Sequence, residues 1–593
     1  MSLYSYELSI EKYKDEILKT IQTHRNVIIK GPTGCGKSTF IPYLLKDKKV
    51  AIIEPRRIAV TSLYNILSQK LDNIGYKMRF NKVTNDKTTM TIFTDGAFLN
   101  SIHDLSYDYI IIDEVHERSL RTDLILSILK SNYRNKLILM SATLDTSKIS
   151  SFFKAVTYEI PGESFPVDIK YLDLPTSDYI NESYLTIKNI LKTRDANEKK
   201  DILVFLPGEE DINDLHKICK KIPSIVTSRV HSTMNDQEQM KIYEESLLTK
   251  VILSTNICET SLTIPNIKYV IDCGLFKNKI FNGISFLGIQ PISRDSAIQR
   301  MGRCNRLGPG VCYKLYTSTQ PLNAYIPEIL RSDLNSFVLF LVNMKKNIFN
   351  LDLIDFPPIK NLAMALEFLI SKKCIQMFYK QNKIDSFDNF EKHLENQILQ
   401  KDLIFIDPCT IIKDLTLKIT NYGRKLASHP FDVDLAHFYE QCVNSKIGYY
   451  GSILVSLISQ ENFNFLNGKT DKICDIEYLI ELFESFQESS DKVSFALKRG
   501  IPYKGLEIAT KIFKTLNCSK EGNQDLLNRI FSKSFEHNLC IRNEDGSYRM
   551  VRNGQILYIH PNSGFFKRKD PKIVIVDLFC TSKVYSRIVG KYF

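Results

Sequence analysis

The chain has 593 residues, 44% of them hydrophobic and 25% charged. That is too long for one core, and roughly four domains are expected at about 150 residues each. No apolar run approaches the roughly 18 residues of a membrane-spanning helix. The polar, mixed-charge Met1 to Lys12 does not fit a secretory signal. The 13 cysteines include no C-x-x-C pair, which argues against a zinc site and a disulfide framework and for a reducing, intracellular compartment. Net charge is +12, and Ala496 to Phe593 holds 18 Lys/Arg against 8 Asp/Glu, an excess of 10. Such a basic terminal module suits phosphate-backbone binding or, equally, a solvated surface.

Asn26-Val27-Ile28-Ile29 reads as a short buried strand and Ser38 to Leu45 as a helix. Between them Gly31-Pro32-Thr33-Gly34-Cys35-Gly36-Lys37-Ser38 fits G-x-x-x-x-G-K-[ST] in full, in the strand–loop–helix context that a P-loop requires. The candidate nucleotide cradle is Gly31, Thr33, Gly34, Cys35, Gly36, Lys37, Ser38 and Thr39. Backbone N–H groups at the helix start face the phosphates. Lys37 pairs with the β/γ-phosphates, and Ser38 ligates Mg²⁺.

Tyr109-Ile110-Ile111-Ile112 is a second buried strand, ending at Asp113-Glu114-Val115-His116. A carboxylate at the C-terminal edge of a parallel strand can reach the P-loop metal. Asp113 is the metal partner, Glu114 the water-orienting base, and His116 a candidate link to another domain. Lys136 to Met140 is a third strand, followed by Ser141-Ala142-Thr143, whose hydroxyls at Ser141 and Thr143 are candidates for relaying nucleotide state.

The α/β rhythm then restarts with strands at Asp201 to Leu206, Lys250 to Asn256 and Lys268 to Asp272, without a second P-loop. The second fold can therefore only complete the first fold's site. Its contribution is Gln299-Arg300-Met301-Gly302-Arg303-Cys304-Asn305-Arg306. Arg303 and Arg306, three apart, are expected to share a helix face and to act as arginine fingers that stabilise transition-state charge.

These segments together resemble the DEAH/RHA group of superfamily 2 helicases, and the resemblance covers nearly the whole chain. Glu54-Pro55-Arg56-Arg57-Ile58-Ala59 resembles motif Ia, Gly75 to Phe80 the hook-turn segment with Arg79, and Thr94-Asp95-Gly96 motif Ib. Phe205-Leu206-Pro207-Gly208 is similar to motif IV, and Ser254-Thr255-Asn256 opens a close relative of motif V that runs to Ile264. The resemblance implies nucleic-acid contacts at Arg56, Arg57, Arg79, Thr94, Asp95, Gly96, Ser254, Thr255 and Asn256. It gives Gln299 a part in positioning the water. It also aligns Tyr243 with an aromatic residue that stacks on the nucleotide base, ordinary packing being the alternative. Phe276 to Ile292 resembles the strand-separating hairpin. Val115 replaces the usual Ala, and Asn305 the second Gly of G-R-A-G-R. No arginine stands near Asn65 and Ile66, where relatives place half of a base sandwich, so weak discrimination among the four NTPs is expected.

In the second half, Pro327 to Arg331, Asp355-Phe356-Pro357-Pro358 and Ala365 to Leu369 resemble the family's winged-helix region. Ile419-Thr420-Asn421-Tyr422-Gly423-Arg424 resembles its L-T-x-x-G-R element, and residues 371–418 read as an insertion. Leu435 to about Cys518 has helical apolar spacing. Leu526 to Phe593 alternates in strand fashion, and Asn553 to Ser563 resembles an OB-like barrel segment with an H-P-x-S turn. Thr581 to Arg587 resembles its closing strand, and such barrels bind single strands.

The expected fold is thus α/β: two tandem RecA-like parallel-sheet domains, 1–163 and 164–325, then a winged helix, 326–432, a ratchet-like helical bundle, 433–525, and an OB-like β-barrel, 526–593. The implied activity is ATP-dependent RNA unwinding in the 3′→5′ sense by a monomer, with ATP or other NTPs and Mg²⁺ as cofactors. Single-stranded or partly duplex RNA is the expected partner, with a protein activator at the winged-helix or OB-like surface and no membrane. A DNA-directed helicase, an RNP-remodelling ATPase and a catalytically dead RNA-binding scaffold are the alternatives.

Overall fold

The computed structural model describes residues 9–32, 34–79, 81–142, 146–161, 165–194, 200–234, 238–239, 241–244, 246–259, 264–306, 308–379, 382–384, 415–460, 463–466, 474–580 and 583–593. It divides into two compact units. The first comprises Met1–Lys277, Ile289–Glu328 and Asp352–Asp355, and the second Asn278–Gly288, Ile329–Leu351 and Phe356–Phe593.

The first unit holds two open, mostly parallel sheets. One has eight strands in the spatial order Asn81–Val83, Ile74–Met78, Met90–Thr94, Val50–Glu54, Tyr109–Ile112, Lys136–Ser141, Asn26–Lys30 and Val156–Glu159. Only Asn81–Val83 runs antiparallel to its neighbour. Val50–Glu54 and Met90–Thr94 are buried along their whole length, as a parallel sheet covered on both faces requires. Val27, Ile29, Ile52, Ile111 and Ile138 face one core with Ile17, Ile21, Phe40 and Leu63 from the helices. The second sheet is parallel throughout, in the order Ile225–Val230, Thr249–Ser254, Asp201–Phe205, Ile267–Asp272, Gly310–Lys314 and Val167–Tyr171. Its strands split by period two: Ile202 and Val204 join one core and Leu203 and Phe205 the other. These are the two RecA-like sheets read in the sequence, and the anticipated strands lie within a residue or two of the observed ones.

The second unit begins with helices Asn335–Asn343 and Ile359–Ser371 and a three-stranded antiparallel sheet ordered Asn382–Ile384, Ile375–Tyr379, Leu415–Ile419. The expected 371–418 insertion overlaps this sheet, and Ile375–Tyr379 and Leu415–Ile419, near its two ends, pair with each other. Residues 385–414, including the Phe387 to Gln400 charge pattern, lie outside the described residues. Thr420 caps helix Asn421–Ala427 by accepting from Gly423 N at 2.9 Å. A Cβ on Gly423 would stand 2.0 Å from Cys374 O, which is why that turn takes only glycine.

Five helices follow, Val433–Asn444, Gly448–Ile458, Asp475–Glu488, Lys492–Lys498 and Tyr503–Leu516, and then a sixth, Asp525–Ser534. The last corrects the strand reading from Leu526 onward and crosses the expected boundary at 525/526. Leu527 and Phe531 are four apart and buried, a helical repeat that outweighs the alternation. The strands proper run from Leu539–Arg542 to Val589–Lys591, and the sheet they form also includes the hairpin Leu275–Phe281 and Ser285–Pro291. Leu287 pairs with Phe579, and the Asn553 amide donates to Asn282 O near the hairpin tip.

The H-P-x-S turn is held by Asp475. Its carboxylate accepts from Ser563 Oγ at 2.6 Å, Gly564 N at 2.7 Å and Val589 N at 3.1 Å. Burial pushes its pKa up to about 6, against the pull of these three donors. No helix among the described residues is long and apolar enough to cross a membrane, and the described cysteines are all free. Replacing Asp475 strands three buried donors. Asp475→Ala should therefore lower the unfolding free energy by about 3 kcal/mol, read as a lower denaturation midpoint.

Candidate active site

The P-loop leaves strand Asn26–Lys30, and Ser141, at the end of the adjacent strand, accepts from Gly31 N at 3.2 Å. Gly34 and Gly36 take φ of +86° and +101°, the left-handed region open to glycine without strain. Gly36 precedes helix Lys37–Leu44, so free N–H groups collect at the helix start. Lys37 is buried, and its Nζ donates to Gly31 O at 2.6 Å and Pro32 O at 2.9 Å. Ser38 Oγ donates to the Asp113 carboxylate. The Thr39 hydroxyl stays on its own loop, donating to Gly36 O. Cys35 is buried, with Sγ 3.9 Å from Lys37 Nζ. Thr33 and Thr143 lie outside the described residues.

Asp113 caps strand Tyr109–Ile112 and accepts from Glu114 N at 2.8 Å. Glu114 stands at φ +48°, ahead of the short turn Val115–Glu117. A third carboxyl, Glu54, is buried beside Asp113. Burial and the neighbouring carboxylates Asp113 and Glu117 push Glu114 up to about 8, and burial with Asp113 and Glu114 pushes Glu54 well up. Three crowded carboxyls around a serine hydroxyl and a lysine fit a divalent cation held by Ser38 and Asp113, whose charge would relieve this repulsion.

The second sheet completes the site. Helix Arg294–Met301, capped by Ser293, presents Gln299, whose Nε2 lies 2.9 Å from His116 Nε2. Burial holds the His116 pKa below its ordinary value, so the neutral ring accepts there from the Gln299 amide. Its Nδ1 then faces Ser141 Oγ at 3.5 Å and Glu114 Oε2 at 3.6 Å.

Arg303 and Arg306 do not share a helix face, because the helix ends at Met301 and Gly302 follows as its cap. Both still reach the seam between the two folds. Arg306 packs its guanidinium against Gly34, where a Cβ would stand 3.1 Å from Cζ. Arg303 is buried and donates to Glu259 O, and burial lowers its pKa to about 10.

The candidate nucleic-acid residues divide. Arg57 and Arg79 are exposed, Arg57 donating to Arg79 O at 2.9 Å. Arg56 is instead engaged across the seam, with Glu117 Oε1 at 2.8 Å and Asn256 O at 3.1 Å. Thr94 and Asp95 are buried at the start of helix Asp95–Asn100. Asp95 accepts from Gly96 N and faces Arg121, so it orders the loop. Ser254 is fully buried and donates to Thr255 O; Thr255 N donates to Val230 O. Tyr243 is partly buried against the core that holds Val230, Ile242 and Ile257. Residues 260–263 lie outside the described residues.

Four partners were missed by the sequence reading. Arg300, fully buried, pairs with Asp272 at 2.8 Å and Glu259 at 3.1 Å and lies over the Phe205 ring. Arg118, at φ +43°, is buried on Asp123. Glu54 and Glu259 supply buried carboxyls. Glu54, Glu259 and Arg300 stand inside the motifs quoted above and Arg118 just after Asp113–His116, and spacing alone does not disclose their partners.

Residues 11–152 match the DEAD/DEAH box helicase family, and residues 182–308 match the helicase conserved C-terminal domain. Solved structures of similar fold include two of one bacterial protein. Escherichia coli DEAH/RHA helicase HrpB shares 23% identity over 99% of this chain and 70% of its own, with a TM-score of 0.76. A second structure, of the E. coli DExH-box NTPase HrpB, shares 21% over 100% and 69%, with a TM-score of 0.74. At Gly34, an added methyl would meet both the left-handed backbone and Arg306. Gly34→Ala is expected to weaken NTP binding at least about tenfold, measured by titration with a fluorescent nucleotide.

Proposed function

We propose that this chain, whose residues match the DEAD/DEAH box helicase and helicase C-terminal domain families over 11–152 and 182–308, is a DExH-type NTP-driven motor that moves 3′→5′ along RNA and unwinds it. The observation that carries this reading is the seam. The P-loop fold supplies Lys37, Ser38, Asp113 and Glu114, and the other fold reaches it through Gln299 on His116 and Arg306 on Gly34. A site split between two folds changes whenever they move, and that is what a motor needs.

In this reading the P-loop amides and Lys37 hold the triphosphate. Ser38 and Asp113 would hold Mg²⁺, which would supply charge neutralisation at the phosphates. Glu114 orients the water and takes its proton, and its crowded surroundings favour accepting one. Arg303 and Arg306 stabilise the charge that builds on the γ-phosphate, an effect worth about 10³–10⁵ in related transfers. Gln299, through the neutral His116 ring, senses whether the folds are closed. Arg57 and Arg79 supply backbone contacts with little sequence preference. The Phe276–Ile292 hairpin, integrated into the C-terminal sheet, is the strand separator. No base-specific contact is proposed, so ATP, GTP, CTP and UTP should be hydrolysed within about an order of magnitude of one another, a tenfold step being about 1.4 kcal/mol.

The test is NTP hydrolysis by the full chain alone, with single-stranded RNA and with single-stranded DNA. Stimulation by RNA is expected, with Glu114→Gln lowering kcat by about 10² or more while nucleotide still binds. Equal stimulation by DNA would replace RNA by nucleic acid of either kind. Hydrolysis indifferent to both would overturn the motor reading.

A further inference from the structure

The turn carrying Glu114 and His116 is bounded by two non-glycine residues in the left-handed region, Glu114 at φ +48° and Arg118 at φ +43°. Such a conformation persists only where its surroundings over-determine it. The near end is held by the site itself. The far end is held by a distant piece of chain.

Arg118 is buried and forks between two carboxylates, Asp123 on the following helix and Asp355 at 2.8 Å. Its carbonyl accepts from Glu328 N at 3.1 Å, and the Glu328 carboxylate accepts from Leu120 N at 2.9 Å. The Tyr325 hydroxyl donates to Glu117 O. Lys148 adds an ion pair to Asp355 at 2.6 Å.

Tyr325, Glu328 and Asp355 are not scattered residues. The chain leaves the first compact unit directly after Glu328, returns for Asp352–Asp355, and leaves again at Phe356. Both of these connectors are therefore fastened to the segment Glu117–Leu120, immediately behind the proposed water-orienting carboxylate. A guanidinium that bridges two carboxylates at fixed geometry is a stiff link, and Arg118 is four residues from Glu114.

We propose that Arg118, Glu328 and Asp355 are positioning residues that hold the Glu114–Glu117 turn in its left-handed form, so that the connectors set the rate of NTP hydrolysis. The inference rests on the hydrolytic reading above for Glu114.

The experiment uses the full chain with Asp355→Asn, Glu328→Gln and Asp355→Glu. Steady-state ATP hydrolysis with and without single-stranded RNA is combined with amide hydrogen exchange over residues 113–120 and a thermal melt. Asp355→Asn and Glu328→Gln are expected to lower kcat about tenfold, leave KM for ATP within about twofold, and raise exchange in that segment. Asp355→Glu should recover part of kcat. Arg118 keeps Asp123 in all three, so the melting temperature should hardly move.

Unchanged kcat or unchanged exchange in both charge-neutral variants would overturn the proposal. So would kcat and KM failing together with a large loss of melting temperature, which is the mark of a merely structural role. A wild-type chain that hydrolyses no NTP would instead defeat the function proposed above, and the exchange measurement would still decide whether the connectors hold the turn.

Discussion

Crowded negative charge at the C-terminal edge of the first sheet is the constraint on which the rest depends. Glu54, Asp113 and Glu114 stand together with little access to water. Buried like charges cannot all remain ionised unless cations face them. Lys37 and Arg56 come from the same fold, and Arg303 from the other. The cations that face these carboxylates thus come from both folds. Nucleotide phosphates and a divalent cation alter both sides of that balance, so their binding and loss bear directly on how the two folds meet.

The second fold must hold its cations firmly to serve in this way. Arg300 does so from inside, bound to Asp272 at the end of a central strand and to Glu259 in the loop after Thr249–Ser254. Burial alone would drive off its charge, but the two carboxylates outweigh that and keep it protonated. Glu259 also accepts from Ser296 Oγ, and its carbonyl receives Arg303. The strand end, the loop, the helix and the finger region thus form one hydrogen-bonded block, and Gln299 rides on it into contact with His116.

Much of this was legible in the residues. The buried apolar runs marked the parallel strands, because a strand covered on both faces needs no polar residues. Glycines at Gly34 and Gly36 marked a backbone that only glycine adopts freely. What was not legible depended on long-range partners. Arg56 reads as a phosphate contact, and nothing local discloses its bonds to Glu117 and Asn256. Arg303 and Arg306 read as one helix face because spacing alone does not disclose that Gly302 ends the helix. Helix Asp525–Ser534 was hidden because its apolar pairs also satisfy a strand alternation, and packing on the bundle decided between them. Asp475 gave no local signal, since its three donors lie 88 to 114 residues away.

The central claim is that hydrolysis is controlled by contact between the folds through His116 and Gln299. The most direct measurement is a double-mutant cycle on nucleic-acid-stimulated kcat with His116→Ala, Gln299→Ala and the pair. A shared relay predicts that the double variant is little worse than either single one, with a coupling of about 1 kcal/mol or more. Independent, multiplicative losses would contradict the account, because the 2.9 Å contact would then be a neighbourhood without a role in catalysis.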